Sequence, residues 1–337
     1  MQQQAPKPPN RLLTSRTNRR RFLTALGIVA ALTPSAVTRA ATEAIGTQNQ
    51  GGAIMGRQAE VTATTDALTA PGVQLFYDVS GSGPVLLLIP GGMADAGGFA
   101  PLAAYLEDRY TVVRYDPRGI SRSRLDGPAE DVPVEVHADD AARLLKAIGG
   151  EPAYVVGSSG GAVIGLALVE RYPELVETLV AHEPPLVEFL PEGDKRRDDN
   201  QAIYDTYRTE GVGPAMEKFW AAAGMDEEAP PVDMSPEALE FMAQEMARME
   251  QNLEFFLAHY LMPITSYDPD IAALQAASSR VVIGVGEASG GQEASDTALA
   301  LAERLGIEPV TFPGDHIGMA THPEAFTAKL HEVLQAR

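Results

Sequence analysis

The stretch Ala153-Tyr154-Val155-Val156-Gly157-Ser158-Ser159-Gly160-Gly161-Ala162-Val163-Ile164-Gly165-Leu166 decides how this chain is read. Residues 153–156 form a short apolar run, as expected of a strand buried on both faces of a parallel sheet. Residues 162–170 read as a helix. Between them lies Gly157-Ser158-Ser159-Gly160-Gly161, a G-x-S-x-G sequence centred on Ser159. A sharp strand-to-helix turn strains its central residue and leaves little room for neighbouring side chains, which is why small residues surround it. The turn lifts the Ser159 hydroxyl above the sheet edge, at a helix N-terminus that favours developing negative charge. Ser158 is the alternative serine, but it lacks the flanking glycine frame.

Strand-like and helix-like signals alternate outward from this turn. Residues 59–68 and 73–79, either side of Pro71-Gly72, suggest an antiparallel pair. Further strands are expected at 85–89, 110–115, 177–181, 281–285 and 309–312. Helices are expected at 99–106, 137–148, 271–277, 294–305 and 323–334. This alternation predicts an α/β fold with a mostly parallel sheet covered on both faces. Residues 186–262 interrupt the pattern. They hold seven of the 11 methionines and nine of the 21 aromatic residues, including the single tryptophan, Trp220. Phe241, Met242, Met246, Met249, Leu253, Phe256 and Leu257 recur there at helical spacing. Ordinary helix–helix core accounts for most of them, and a cap roofing an apolar pocket is the functional addition.

On these residues the chain, from about 60 to the C-terminus, resembles the α/β-hydrolase superfamily. The resemblance implies an eight-stranded sheet with a helical cap inserted after strand 6, and a catalytic domain spanning 61–337. Pro90-Gly91-Gly92 occupies the place of the family's His-Gly-x segment, with proline where histidine is usual. Backbone N–H groups of Gly92 and Gly160 would then form an oxyanion hole, with Met93 as the alternative donor. Asp116-Pro117-Arg118-Gly119-Ile120-Ser121-Arg122-Ser123 matches the family's D-x-R-G-x-G-x-S turn, except that Ser121 replaces the second glycine; its charges read as structural. Gly314-Asp315-His316 follows the last expected strand, where the family places its histidine. His316 is therefore the expected proton-transfer residue among the six histidines.

The acid partner departs from the pattern. Gly286-Glu287-Ala288-Ser289 puts serine where the family usually has aspartate. Asp315 adjoins His316, but neighbouring side chains in an extended loop diverge. Glu287 is near the right loop, one position early. Glu183, in His182-Glu183-Pro184-Pro185, ends the strand next to that of Ser159, and adjacent strand ends lie about 5 Å apart. Its position is similar to that in the fungal zearalenone lactonases, which carry a glutamate in a His-Glu-x-Pro segment. Glu183 is the favoured acid and Glu287 the alternative; a purely structural Glu183 is the third reading. His182 is expected to turn away into packing.

The chain has 46 acidic and 26 basic residues over 337 positions, a formal charge of −20, and no cysteine. Disulfides, thiolate metal sites and cysteine nucleophiles are thereby excluded, and a net-acidic surface argues against nucleic-acid binding. The charge is uneven: residues 1–40 carry seven basic residues and no acid, leaving 19 basic against 46 acidic, or −27, on the remainder. Arg19-Arg20-Arg21-Phe22-Leu23 opens an uncharged run of about 17 residues that ends before Arg39-Ala40-Ala41, shorter than the roughly 20 residues of a membrane span. It resembles a twin-arginine signal peptide (1–40) with a cut after Ala40, a basic amphipathic helix or an uncleaved anchor being the alternative, and a flexible linker at 41–60 follows. Together these features predict an exported serine hydrolase, periplasmic or extracellular, that has no membrane contact after cleavage. It would act on a hydrophobic ester or lactone through an acyl-enzyme. No metal or organic cofactor is implied, and oligomeric state is not legible. A cofactor-free haloperoxidase or perhydrolase, a C–C bond hydrolase and a non-catalytic binding homologue share the same fold. Epoxide hydrolases and dehalogenases would need aspartate in place of Ser159.

Overall fold

The structure, a computed structural model, describes residues 63–149, 152–224 and 236–336. The expected leader (1–40) and linker (41–60), and the side chains of Phe241 and Met242, lie outside the described residues. Eight strands form one sheet: β1 (Thr64–Ala70), β2 (Val73–Gly81), β3 (Val85–Ile89), β4 (Thr111–Tyr115), β5 (Ala153–Ser158), β6 (Val176–His182), β7 (Arg280–Gly286) and β8 (Val310–Phe312). Their spatial order is β1-β2-β4-β3-β5-β6-β7-β8. β2 runs antiparallel to β1 and β4, and all other pairs are parallel.

The period of two along each strand sorts the core into layers. Leu86 and Leu88 point to one face, against Phe99, Leu102, Phe326 and Leu330. These come from the short α1 (Ala100–Ala103), the turn before it and the C-terminal α11 (Pro323–Gln335). Leu87 and Ile89 point to the other face, against α2 (Val134–Ile148) and α3 (Gly160–Arg171). Both faces being covered explains why β3 and β5 read as unbroken apolar runs rather than alternating ones. Each fully buried leucine here stabilises the fold by about 1.5–3 kcal/mol. The expected helix at 99–106 is shorter and earlier, because Asp95 accepts from the Gly97 N–H and so starts a helical turn at Ala96. Likewise α2 begins at Val134, directly after Pro133, rather than at 137.

Between β6 and β7 the chain builds the cap from α4 (Asp199–Glu210), α5 (Val212–Ala222) and α6 (Pro236–Phe255). A π-helical turn (Phe256–Tyr260) follows, then α7 (Leu261–Thr265) and α8 (Ile271–Ala276). Pro263 accounts for the break in the helix. It has no N–H for the carbonyl of His259 four residues back, and that carbonyl accepts from Val132 N instead (3.4 Å). Met246, Leu253, Phe256 and Leu257 are buried in the main core with Phe219 and Trp220 against them, so the apolar stripe of the cap is core packing. α9 (Glu293–Leu305) and α10 (Gly318–Thr321) complete the elements.

Candidate active site

β5, β6 and β7 are neighbouring parallel strands, and β8 lies beside β7, so their C-terminal ends form one edge. Ser158 pairs with His182, and Ser159 N donates to the His182 carbonyl at 2.9 Å. Ser159 therefore leaves β5 level with Glu183 leaving β6. Its backbone is at φ +55°, ψ −124°, a region that L-residues rarely occupy and that persists only when surrounding structure imposes it. A Cβ at Gly157 would lie 2.3 Å from the Gly161 carbonyl, and one at Gly161 would lie 2.0 Å from that of Ile89. Any side chain at either position would open the turn. Only three non-glycine residues have positive φ among the described residues: Ser121, Ser159 and Glu183.

Glu183, at φ +50°, is fully buried. Its Oε2 lies 2.6 Å from His316 Nδ1, and its Oε1 accepts from Gly286 N at 2.8 Å. Burial pushes the carboxyl upward. The hydrogen bond and charge of His316, with the Gly286 N–H, outweigh that and bring it down to about 2. The carboxylate is thus ionised at neutral pH and fixes a proton on His316 Nδ1, which leaves Nε2 as the basic nitrogen. The structure does not bring Glu287 to His316: it is exposed, and its Oε1 accepts from Gly314 N at 3.3 Å. Asp315 is likewise turned away, accepting from Ile317 N at 3.1 Å. Ser289, at the family's usual acid position, is fully buried with its Oγ 2.5 Å from where a Gly286 Cβ would be.

The remaining histidines are held elsewhere. His182 packs edge-on against Phe312 and Phe326, with centroids 5.8 and 5.4 Å away, and burial lowers its pKa to about 4. His137 sits against Tyr260, His259 pairs with Asp131, His322 with Thr321 and His331 with Tyr110.

The loop after β3 packs directly on the turn at Ser159. A Cβ at Gly91 would lie 2.3 Å from the Ser158 carbonyl and 2.7 Å from Gly160 N. Gly160, as the first residue of α3, has no intrahelical acceptor for its N–H. Gly92 has φ +59°, and no described protein atom accepts from the N–H of Gly92 or Met93. Two cap residues face these groups. Phe256 lies 3.8 Å from where a Gly92 Cβ would be, and the Tyr260 hydroxyl lies 2.8 Å from that of Gly160. That hydroxyl is buried without a protein partner.

Three residues near the site escaped the sequence reading: Tyr260, Asn252 and Glu293. Glu293 opens α9, and burial, reinforced by Asp199 and Asp194, pushes its carboxyl up to about 7 against the pull of Arg196 and His316. Only the π-helix-inducing Pro263 offered a sequence signal for the Tyr260 region; the other two lie in ordinary amphipathic helices. The charges of the 116–123 turn are structural, as expected. Asp116 accepts from Ala96 N and Arg122 Nε, and Arg118 grips Asp140 with two bonds of 2.6 and 2.7 Å.

This geometry agrees with what the chain is similar to. A family model described as the alpha/beta hydrolase fold matches residues 84–224. The uncharacterized hydrolase YraK of Bacillus subtilis is 36% identical over 282 residues, which is 82% of this chain and 97% of that protein. A zearalenone hydrolase of Cladophialophora bantiana is 30% identical over 270 residues, 77% of this chain and 92% of that one. Among solved structures, an alpha/beta hydrolase from Sphaerobacter thermophilus has a TM-score of 0.59 at 26% identity, covering 80% of this chain and 100% of that one.

Proposed function

The chain is a hydrolase of the α/β-hydrolase family, and from that premise we propose that it cleaves a carboxylic ester or lactone through an acyl-enzyme on Ser159. The observation that carries this reading is the strained Ser159 turn, set level with a Glu183–His316 pair bonded at 2.6 Å. Ser159 Oγ attacks the carbonyl carbon while His316 Nε2 takes its proton. Glu183 orients the imidazole and stabilises the imidazolium that forms. The Gly92 and Gly160 N–H groups hold the oxyanion. His316 then returns the proton to the leaving oxygen, activates water, and the acyl group departs as the carboxylic acid.

The lactone arm draws on the zearalenone hydrolase relative at 30% identity, and the Phe256 ring beside Gly92 suits a hydrophobic substrate. The basic leader supports export by a twin-arginine route, on sequence alone. A panel of p-nitrophenyl esters and lactones tests the reading. Ser159→Ala is expected to lower turnover at least 10⁴-fold with its melting temperature retained. Unchanged turnover in that variant would sink the mechanism.

A further inference from the structure

One face of the cap helix runs along the loop that carries the expected oxyanion donors. Arg248, Asn252, Phe256 and Tyr260 recur every four residues, and each meets that side of the site. Arg248 Nε lies 3.2 Å from Asp95 Oδ2. Phe256 and Tyr260 face Gly92 and Gly160. Asn252 makes the polar contacts between them. Its Nδ2 donates to the Met93 carbonyl at 2.9 Å and to Ser121 Oγ at 3.0 Å, and its Oδ1 accepts from Ser121 N at 2.9 Å. A backbone N–H can only donate and a carbonyl can only accept, so the amide has one possible orientation.

The partners are themselves fixed. Ser121 Oγ donates to Asp95 Oδ2 at 2.7 Å, and Asp95 Oδ1 accepts from Gly97 N at 2.9 Å. Asp95 and Asn252 are both buried. This explains the departure of Ser121 from the family's glycine. At φ +45° a serine costs about 1–2 kcal/mol, and its hydroxyl offsets that cost with two bonds, to Asp95 and from Asn252, that a glycine could not make. Next to it, a Cβ at Gly119 would fall 2.2 Å from the Phe255 ring, so the turn also seats the cap helix.

Resting on the reading of Ser159 given above, we propose that Asn252 is a positioning residue that fixes the oxyanion loop from the cap. The loop is held where Gly91 packs on the Ser159 turn, where Ala94 N donates to the Gly91 carbonyl at 3.1 Å, where the Met93 side chain is buried in the core, and, from the cap, where the Met93 carbonyl is bonded to Asn252. The Gly92 peptide hangs between them, and glycine supplies no side chain to restrain it. Oxyanion donors accelerate a reaction only when they are aimed before charge develops. The Asn252 bond supplies that aim, so the cap takes part in catalysis as well as covering the substrate.

Asn252→Asp and Asn252→Leu test the role with p-nitrophenyl butyrate and phenylboronic acid, which forms a tetrahedral adduct on an active serine. Both variants are expected to lose about 10- to 100-fold in kcat, with KM within threefold and boronate affinity falling in parallel. For Asn252→Asp the deficit relative to the parent should shrink as pH falls, because the protonated carboxyl can donate to Met93 O. Parent-like kcat and boronate affinity in both variants overturn the proposal. So does a loss confined to KM or to unfolding, with boronate affinity of the folded fraction unchanged. If the parent itself forms no boronate adduct, the reading of Ser159 fails, and the assignment of Asn252 falls with it.

Discussion

Glu183 combines three costs that a merely structural residue would avoid: full burial, ionisation and a positive φ. Burial and ionisation are compensated by His316 and the Gly286 N–H, and the unusual backbone is held by the Glu183 N–H, which donates to the Gly284 carbonyl at 3.0 Å. Replacing Glu183 with glutamine keeps the shape but removes the charge that holds the imidazolium. Glu183→Gln is therefore expected to lower kcat by roughly 10³–10⁴-fold, while Glu287→Gln stays within about twofold of the parent. The reverse order in steady-state kinetics would move the acid to Glu287. Ser159 and His316 were legible because each sits in a local motif next to a strand. Glu183 was legible through its place at a strand end and through the likeness of His182-Glu183-Pro184-Pro185 to the His-Glu-x-Pro segment of the zearalenone lactonases. Asn252 was not, because its partner Met93 lies 159 residues away, and no periodicity marks a polar residue that bonds across such a distance.

At the scale of elements, the inner parallel strands were legible from their apolar runs and β1 and β2 from β-branched, alternating residues around Pro71-Gly72, and the strand ends position the site. Helix starts were read less well: Asp95 and Pro133 set them by local bonding that hydrophobic periodicity does not report. The first turn of α9 carries a measurable consequence. Glu293 has its folded-state pKa raised from 4.5 to about 7 by burial, with Asp199 and Asp194 adding to it. The folded protein therefore holds that proton more tightly than the unfolded chain. Its contribution to stability is complete below pH 4.5 and is lost as pH rises through 7. Glu293→Gln should match the parent near pH 4 and exceed it at pH 8, by something of the order of 2 kcal/mol. Thermal melts across that range check this, and parallel curves for the two proteins would refute it.

Across the whole molecule, the strand order places the turn at Ser159, the buried Glu183 and the loop of His316 at the C-terminal edge of adjacent strands, with Gly286 of β7 bonded between them. Ligands of open α/β sheets bind at that edge. The sheet and its direction followed from alternating strand and helix signals, whereas the seating of the cap on the loop after β3 arose only from tertiary packing. Every step of the proposed reaction depends on Ser159 being the nucleophile. Peptide mapping by mass spectrometry after reaction with a fluorophosphonate probe tests it most directly. One adduct per chain is expected, on Ser159, and none in Ser159→Ala. An adduct on Ser158, or none on a protein that still hydrolyses esters, would contradict it.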